Sequence, residues 1–308
     1  MPTVPTSGVP KPPRGRHLTA RDAVKVVLVA VVLLVLFEGT ALRTAGDEMQ
    51  PGWERSVVLA VGKPVGWVTD LLPLHKANLF GWASFENDVA ESGGSGARTV
   101  LVTGDSMAMP LDVEIARRLA GRKGTRVLRD ARLGTGVSKT DLLDWRKLSA
   151  QQVRKYHPDA IVVFIGANEG FAMPGPGGRQ VQCCGGDWKD VYVGRVRRIM
   201  GNYRQGGKAR VYWLTLPLPR DGDRQEIAHT VNSALDAAYR PLRSDVRVLN
   251  MEEVFTPDGR YRDAMDVDGR KRIVRNSDGI HLNEAGAQVA AKLVLQRLER
   301  DFGRALSP

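Results

Sequence analysis

Apolar positions along this chain change their period twice. Near the start, Val26 to Phe37 is an unbroken apolar run. Extended from Ala23 to Leu42, with Lys25 and Glu38 near its edges, it reaches the ~20 residues a bilayer requires. From 45 to 90 large apolar side chains recur (Trp53, Trp67, Leu71, Leu72, Leu79, Phe80, Trp82, Phe85), but prolines at 51, 64 and 73 cut them into short pieces. From Thr99 onward, short β-rich runs at 99–104, 125–129, 160–166, 209–216 and 246–249 alternate with helical patterns at 110–121, 140–156, 188–205 and 223–240, and a last helical pattern covers 283–302. Strand alternating with helix predicts a parallel sheet between helix layers, an α/β flavodoxin-like three-layer sandwich with five parallel strands in the order 2-1-3-4-5.

These regimes divide the 308 residues. Residues 1–22, rich in Pro, Gly and basic side chains, have no apolar periodicity and read as a disordered tail. Residues 23–42 read as a transmembrane signal anchor. A cleaved secretory signal is the competing reading, disfavoured by the length of the span and by Ala41-Leu42-Arg43, a poor cleavage site; a buried core helix is a third. Basic residues precede the span and mixed charges (Arg43, Asp47, Glu48) follow it, so the tail should stay cytoplasmic and the large domain should be extracytoplasmic. Residues 43–96 form a membrane-proximal apolar segment, lying on the membrane interface or packing against the domain, and end in the hinge Glu91-Ser-Gly-Gly-Ser-Gly-Ala97. Residues 97–308 read as one folded domain.

The candidate chemistry sits at both ends of that domain. Ser106, in Gly104-Asp105-Ser106-Met107, stands where the first strand gives way to a helix. Asp278 precedes His281 by three residues, close enough in one turn to accept the Nδ1 proton and leave Nε2 for the serine. Of the five histidines, only His281 lies in such a motif. Asn283 reads as the N-cap of the last helix.

With Thr135-Gly136-Val137-Ser138 after the second strand and Gly166-Ala167-Asn168-Glu169 after the third, the chain resembles the SGNH (GDSL-type) esterase and acyltransferase superfamily over Ala97 to Phe302. The resemblance implies Ser106, His281 and Asp278 as catalytic triad. It also implies an oxyanion hole from the N–H of Ser106, the N–H of Gly136 and the side-chain amide of Asn168. Gly134 competes with Gly136, which the spacing to Thr140-Asp141 favours. Asp105 reads as a brace for its loop. Glu169 departs from the family's aspartate, which puts a bracing role for that carboxylate in doubt.

Exported relatives of this kind imply a membrane-anchored serine esterase removing small acyl groups, acetyl foremost, from an envelope glycan. An O-acyltransferase moving acetyl to a polysaccharide hydroxyl, with a membrane partner as acyl donor, uses the same triad. A glycan-binding module on the same fold is the non-enzyme alternative. No cofactor is expected.

Cysteine and charge bear on what remains. Cys183 and Cys184 are adjacent, which leaves a vicinal disulfide, two free thiols or an intermolecular bridge open, and they lack the companion ligands of a zinc site. Asp266-Val267-Asp268-Gly269 lacks the rest of a calcium loop, so no metal is expected; with Asp258-Gly259 it reads instead as part of a hairpin over 257–276. The net charge of +11 invites nucleic acid, but the basic residues read as scattered over the helices without interleaved aromatics. Anionic lipids or acidic envelope polymers suit the charge better.

Overall fold

The computed structural model describes residues 90–91 and 98–303, which fall within one compact unit, Trp82–Pro308. The expected tail (1–22), membrane anchor (23–42) and, apart from Ala90–Glu91, the segment 43–96 with its hinge lie outside the described residues. Among the described residues, no helix is long and apolar enough to cross a membrane.

Five parallel strands carry the domain: β2 (Arg98–Gly104), β3 (Thr125–Ala131), β4 (Ala160–Phe164), β7 (Arg210–Leu214) and β8 (Val246–Leu249). They lie in the order β3-β2-β4-β7-β8, which is the expected 2-1-3-4-5. A sixth, two-residue strand, β1 (Ala90–Glu91), pairs antiparallel with β3 through Val127 and Arg126. In register, Val100 of β2 faces Val127 of β3 and Ala160 of β4, and Gly104 faces Ala131 and Phe164. The three central strands therefore end together. Every residue of β4 and all but the first of β2 are buried, as befits strands covered by helices on both faces.

Helices α1 (Ala108–Leu119) and α6 (Glu284–Phe302) pack against each other on one face; α2 (Trp145–Tyr156), α3 (Gly186–Tyr203) and α4 (Gly222–Tyr239) pack in a row on the other. Their sequences explain this. Leu111, Ile115 and Leu119 form the buried stripe of α1, and Ala287, Ala290, Ala291, Val294 and Leu298 form that of α6, where small side chains allow close approach. The stripe of α3 is larger, with Trp188, Tyr192 and Tyr203 at most 1% exposed.

The helix expected over 140–156 starts at Trp145. Asp144 caps it there, Oδ1 accepting the N–H of Arg146 (2.9 Å) and Lys147 (3.1 Å), while 136–143 is folded into turns. The last helix is capped as expected, Asn283 accepting from Gly286 N at 3.0 Å. A five-residue helix α5 (Met251–Phe255) follows β8. The expected hairpin forms as β9 (Ala264–Val267) and β10 (Arg270–Ile273) around an Asp268-Gly269 turn, both residues at positive φ. The segment after β4 folds into a smaller hairpin, β5 (Met173–Pro174) with β6 (Gln180–Val181). Beyond it Cys183 and Cys184 are paired in a disulfide.

Candidate active site

The site gathers at the carboxyl ends of β2, β3 and β4, the position where open α/β sheets bind their ligands. Gly104 closes β2 at φ +148°, and a Cβ there would run into the Phe164 carbonyl of β4. This glycine lets the chain turn hard beside β4 and lifts Ser106 to the start of α1.

Ser106 Oγ lies 2.7 Å from His281 Nε2, although the two are 175 residues apart. His281 Nδ1 lies 2.6 Å from Asp278 Oδ2. The other carboxylate oxygen, Oδ1, accepts the backbone N–H of Ile280 (2.8 Å) and of His281 (3.1 Å). Partial burial works to raise the Asp278 pKa, but the hydrogen bonds from the His281 ring and these two N–H groups outweigh it and hold the carboxyl below its ordinary range. The ionised acid thus fixes the ring so that Nε2 points at the serine.

Two arginines that carry no sequence signal support this turn. Arg220 donates its backbone N–H to Gly279 O (2.9 Å) and Nη1 to Ser277 O (3.0 Å). Arg275, 2% exposed, donates Nη2 to Ile280 O at 2.9 Å. Both guanidinium groups lie over the Tyr261 ring, at 5.2 and 5.1 Å. Burial lowers the Arg275 pKa to about 10, still leaving it a cation at neutral pH.

The expected oxyanion residues are held by two buried carboxylates. Asp105 is fully buried; Oδ1 accepts from Met107 N (2.9 Å), and Oδ2 accepts from Gly166 N (2.9 Å) and Ala167 N (2.8 Å). It ties the serine loop to the asparagine loop and is the brace the sequence suggested. Glu169, 4% exposed, accepts from Val137 N (2.6 Å), Ser138 N (2.8 Å) and Ser138 Oγ (2.6 Å), and it also takes a hydrogen bond from Tyr192. The doubt over this departure from the family's aspartate is answered: the longer side chain ties the asparagine loop to the glycine loop.

Burial, the larger influence in both cases, raises the pKa of both carboxyls against the donors around them. Asp105 is pushed up to about 6.

Gly136 sits against this clasp. A Cβ on it would come within 2.9 Å of Asn168 O and 3.1 Å of Glu169 Oε1, whereas nothing lies within 4 Å of a Cβ on Gly134. Gly136 is thus the glycine in contact with the asparagine loop. Asn168 Nδ2 donates to Thr135 O at 3.2 Å, which sets its side chain beside the same glycine. Among the described residues the backbone N–H groups of Ser106 and Gly136 donate to nothing, and the second N–H of the Asn168 amide is likewise unspent. Three donors with open valence, on the serine, glycine and asparagine loops, are what the expected oxyanion hole requires.

A small, mainly apolar cavity is lined by chain neighbours of the serine and the histidine. Met107, the residue after Ser106, and Ile280, the residue before His281, line it together with Leu216, Pro217, Ile227 and Ala228. Its volume is about 30 Å³, which is the room of roughly two water molecules. No sequence period announces it, because its walls come from α4 and four loops.

Several solved structures are similar in fold. A lipolytic protein of the G-D-S-L family from Veillonella parvula is 16% identical over 66% of this chain and 100% of its own, with a TM-score of 0.45. The C-terminal catalytic domain of peptidoglycan O-acetyltransferase A from Streptococcus pneumoniae is 16% identical over 66% of this chain and 94% of its own, at TM-score 0.41. A carbohydrate acetylesterase from Sinorhizobium meliloti is 15% identical over 65% of this chain and 99% of its own, at TM-score 0.43. No curated protein matches the sequence. A family model described as "Protein of unknown function (DUF459)" matches residues 99–297, from the first residues of β2 to the last turns of α6 and including every site residue above, and the chain belongs to that family.

Proposed function

We propose that this protein is an SGNH-type serine esterase that removes small acyl groups, acetyl foremost, from a cell-envelope glycan. The observation that carries the reading is the continuous relay from Ser106 Oγ through His281 to Asp278, with hydrogen bonds of 2.7 and 2.6 Å. In the proposed cycle His281 Nε2 takes the Ser106 proton as Oγ attacks the ester carbonyl. The oxyanion is met by the N–H of Ser106, the N–H of Gly136 and the Asn168 amide. Collapse expels the sugar oxygen, which receives the proton from His281, and leaves an acyl-serine. Water, deprotonated by the same histidine, then attacks the acyl carbon; as the adduct collapses, Ser106 Oγ leaves and takes that proton back from His281, and the carboxylic acid is released. Asp278 keeps the ring in the required tautomer and stabilises the imidazolium. If a sugar hydroxyl replaces water in the second half, the same residues perform transfer.

The small, mainly apolar cavity lined by Met107 and Ile280, about 30 Å³, supports a small acyl group. The envelope setting rests on the apolar run Val26–Phe37, read as an anchor with basic residues before it.

Fluorophosphonate labelling of the full chain, read by intact mass, tests the nucleophile without knowledge of the substrate. Wild type should gain one adduct, and Ser106→Ala and His281→Ala none. A folded wild type that stays unlabelled would overturn the reading. On labelled-competent protein, p-nitrophenyl acetate should be cleaved at least tenfold faster than the butyrate, and Ile227→Ala, which opens the cavity wall, should narrow that ratio.

A further inference from the structure

The arginines of this domain fall into two groups. Some are paired with carboxylates: Arg117 and Arg118 on Glu114, Arg204 and Arg210 on Asp245, Arg240 on Asp236, Arg297 on Asp301. Others have no carboxylate partner among the described residues, and between α2 and α3 several such cations gather in one place. Arg146, Lys147 and Arg154 of α2 and Arg198 of α3 line one recess of about 590 Å³, and no acidic side chain lines it. Lys147, Arg154 and Arg198 are exposed and have no ion-pair partner among the described residues. The nearest carboxylate to Arg146, on Asp144, is 3.8 Å away and already caps α2.

The recess continues toward the site. A second hollow shares Arg146 and Arg198 with it, has Asp144 as the one acidic group in its lining, and reaches Val137 and Thr140. Its far wall is Arg195, half-buried, whose Nη1 donates to Val137 O at 3.2 Å. Val137 directly follows Gly136 and is itself held by Glu169. The trough therefore runs from the outer helix pair to the loop that begins with the proposed oxyanion glycine.

We infer that this trough binds an acidic glycan strand, its cations meeting carboxylate or phosphate groups along the polymer that carries the ester. The identity of the polymer as substrate rests on the esterase reading; the binding does not. Four cations in one recess repel one another, and an anion entering it relieves that repulsion at each step. From Arg146 to Arg154 the helix rises about 12 Å, the reach of a short stretch of polymer rather than of one small ion. A volume of about 590 Å³ is of ligand-pocket size, and the exposed Gln151 amide in its wall suits sugar hydroxyls. A recess between two helices follows the line of a polymer chain, and the vesicle probe below separates that occupant from a bilayer surface. It offers no exposed aromatic for base stacking, Trp145 at its edge being 2% exposed.

Binding is measured on full-length Ser106→Ala protein, so that turnover plays no part, and failure of the esterase reading would show separately as absent fluorophosphonate labelling. The probes are polygalacturonate oligomers, dextran phosphate, neutral dextran and phosphatidylglycerol vesicles. The comparison is between two additional triple variants of equal charge change: Lys147→Gln/Arg154→Gln/Arg198→Gln in the trough, and Arg270→Gln/Lys271→Gln/Arg272→Gln on the β10 strand. At least one acidic glycan should bind in a salt-sensitive manner, and neutral dextran should not. The trough triple should raise that Kd about tenfold or more and the β10 triple less than about threefold. Which acidic probe binds identifies the anion as carboxylate or phosphate. Equal loss in both triples, binding of neutral dextran as tight as that of the acidic probes, or retention by vesicles alone would overturn the assignment.

Discussion

The two arms of the site are built in opposite ways. The base arm, Asp278 to His281, is local: one carboxylate three residues before the ring accepts that ring's N–H and two backbone N–H groups of its own turn. It is also open, with the Asp278 side chain 43% exposed. The oxyanion arm is the reverse. Asp105 reaches 61 and 62 residues along the chain to Gly166 and Ala167, Glu169 reaches back 31 and 32 to Ser138 and Val137, and both carboxylates are buried. A turn can orient a histidine by itself, but three donors on three separate loops need cross-links, and in a dry interior a carboxylate is a strong acceptor that can hold two loops at once. Chemistry and stability should therefore separate in the base arm and travel together in the oxyanion arm.

The largest break in that comparison comes from Asp278→Asn. The amide oxygen can keep both backbone hydrogen bonds, so the turn should survive and the melting temperature should move by no more than about 2 °C. The ring, however, loses the acceptor that fixes its tautomer, and kcat on an acetyl ester should fall by about 10³-fold or more. A fall of less than tenfold, measured on protein with unchanged melting, would remove Asp278 from the relay.

Glu169→Gln should give the smaller but mixed effect. A glutamine offers one acceptor oxygen where four donors converge, and its NH₂ opposes donors that need an acceptor. One or two buried donors are left unpaired at about 1–3 kcal/mol each. The melting temperature should drop by several degrees, and kcat by about 10- to 100-fold as the Gly136 loop loosens, with KM for a small ester changing little. If kcat stays at the wild-type value while the protein is destabilised, the clasp is structural only and does not set the oxyanion donors.

The same contrast decides what was legible in the sequence. Asp278 and His281 lie in one window, so their pairing could be read directly, and Ser106 announced itself by standing where a strand pattern gives way to a helix pattern. The five parallel strands and their order were legible because buried central strands such as Ala160–Phe164 are continuously apolar. The clasp was not. Glu169 binds backbone N–H groups, which every residue has, so its partners leave no residue-type signature, and only the strand order brings the loops together. Ala90–Glu91 is too short to show a period. The basic residues read as scattered because the trough takes them from two helices some 40 residues apart, and only the packing of α2 on α3 sets Arg198 beside Arg146. Nothing in the sequence marks Arg275; its burial against Tyr261 follows from the hairpin before it.

The subtlest difference between the arms is the sign of their response to pH. Asp278 is held below its ordinary range, so it contributes stability that is present above the unfolded pKa and is lost as pH falls through the folded one. Asp105 is raised from 3.8 to about 6, so the folded protein holds a proton that the unfolded chain has released. Its contribution is greatest below about pH 4, falls as pH rises toward 6 and is level above that, with a total span of about 3 kcal/mol at most. Many other carboxylates titrate in the same window, so the test is a difference: the unfolding free energy of wild type minus that of Asp105→Asn, by urea melts between pH 4 and pH 7. That difference should shrink steadily as pH rises to about 6 and then stay flat, whereas wild type minus Asp278→Asn should grow over the lower part of the range. Two curves of the same sign would mean that burial does not govern Asp105. The three N–H groups aimed at its carboxylate would then outweigh desolvation, and the oxyanion arm would be held by a group as firmly ionised as the one that orients the histidine.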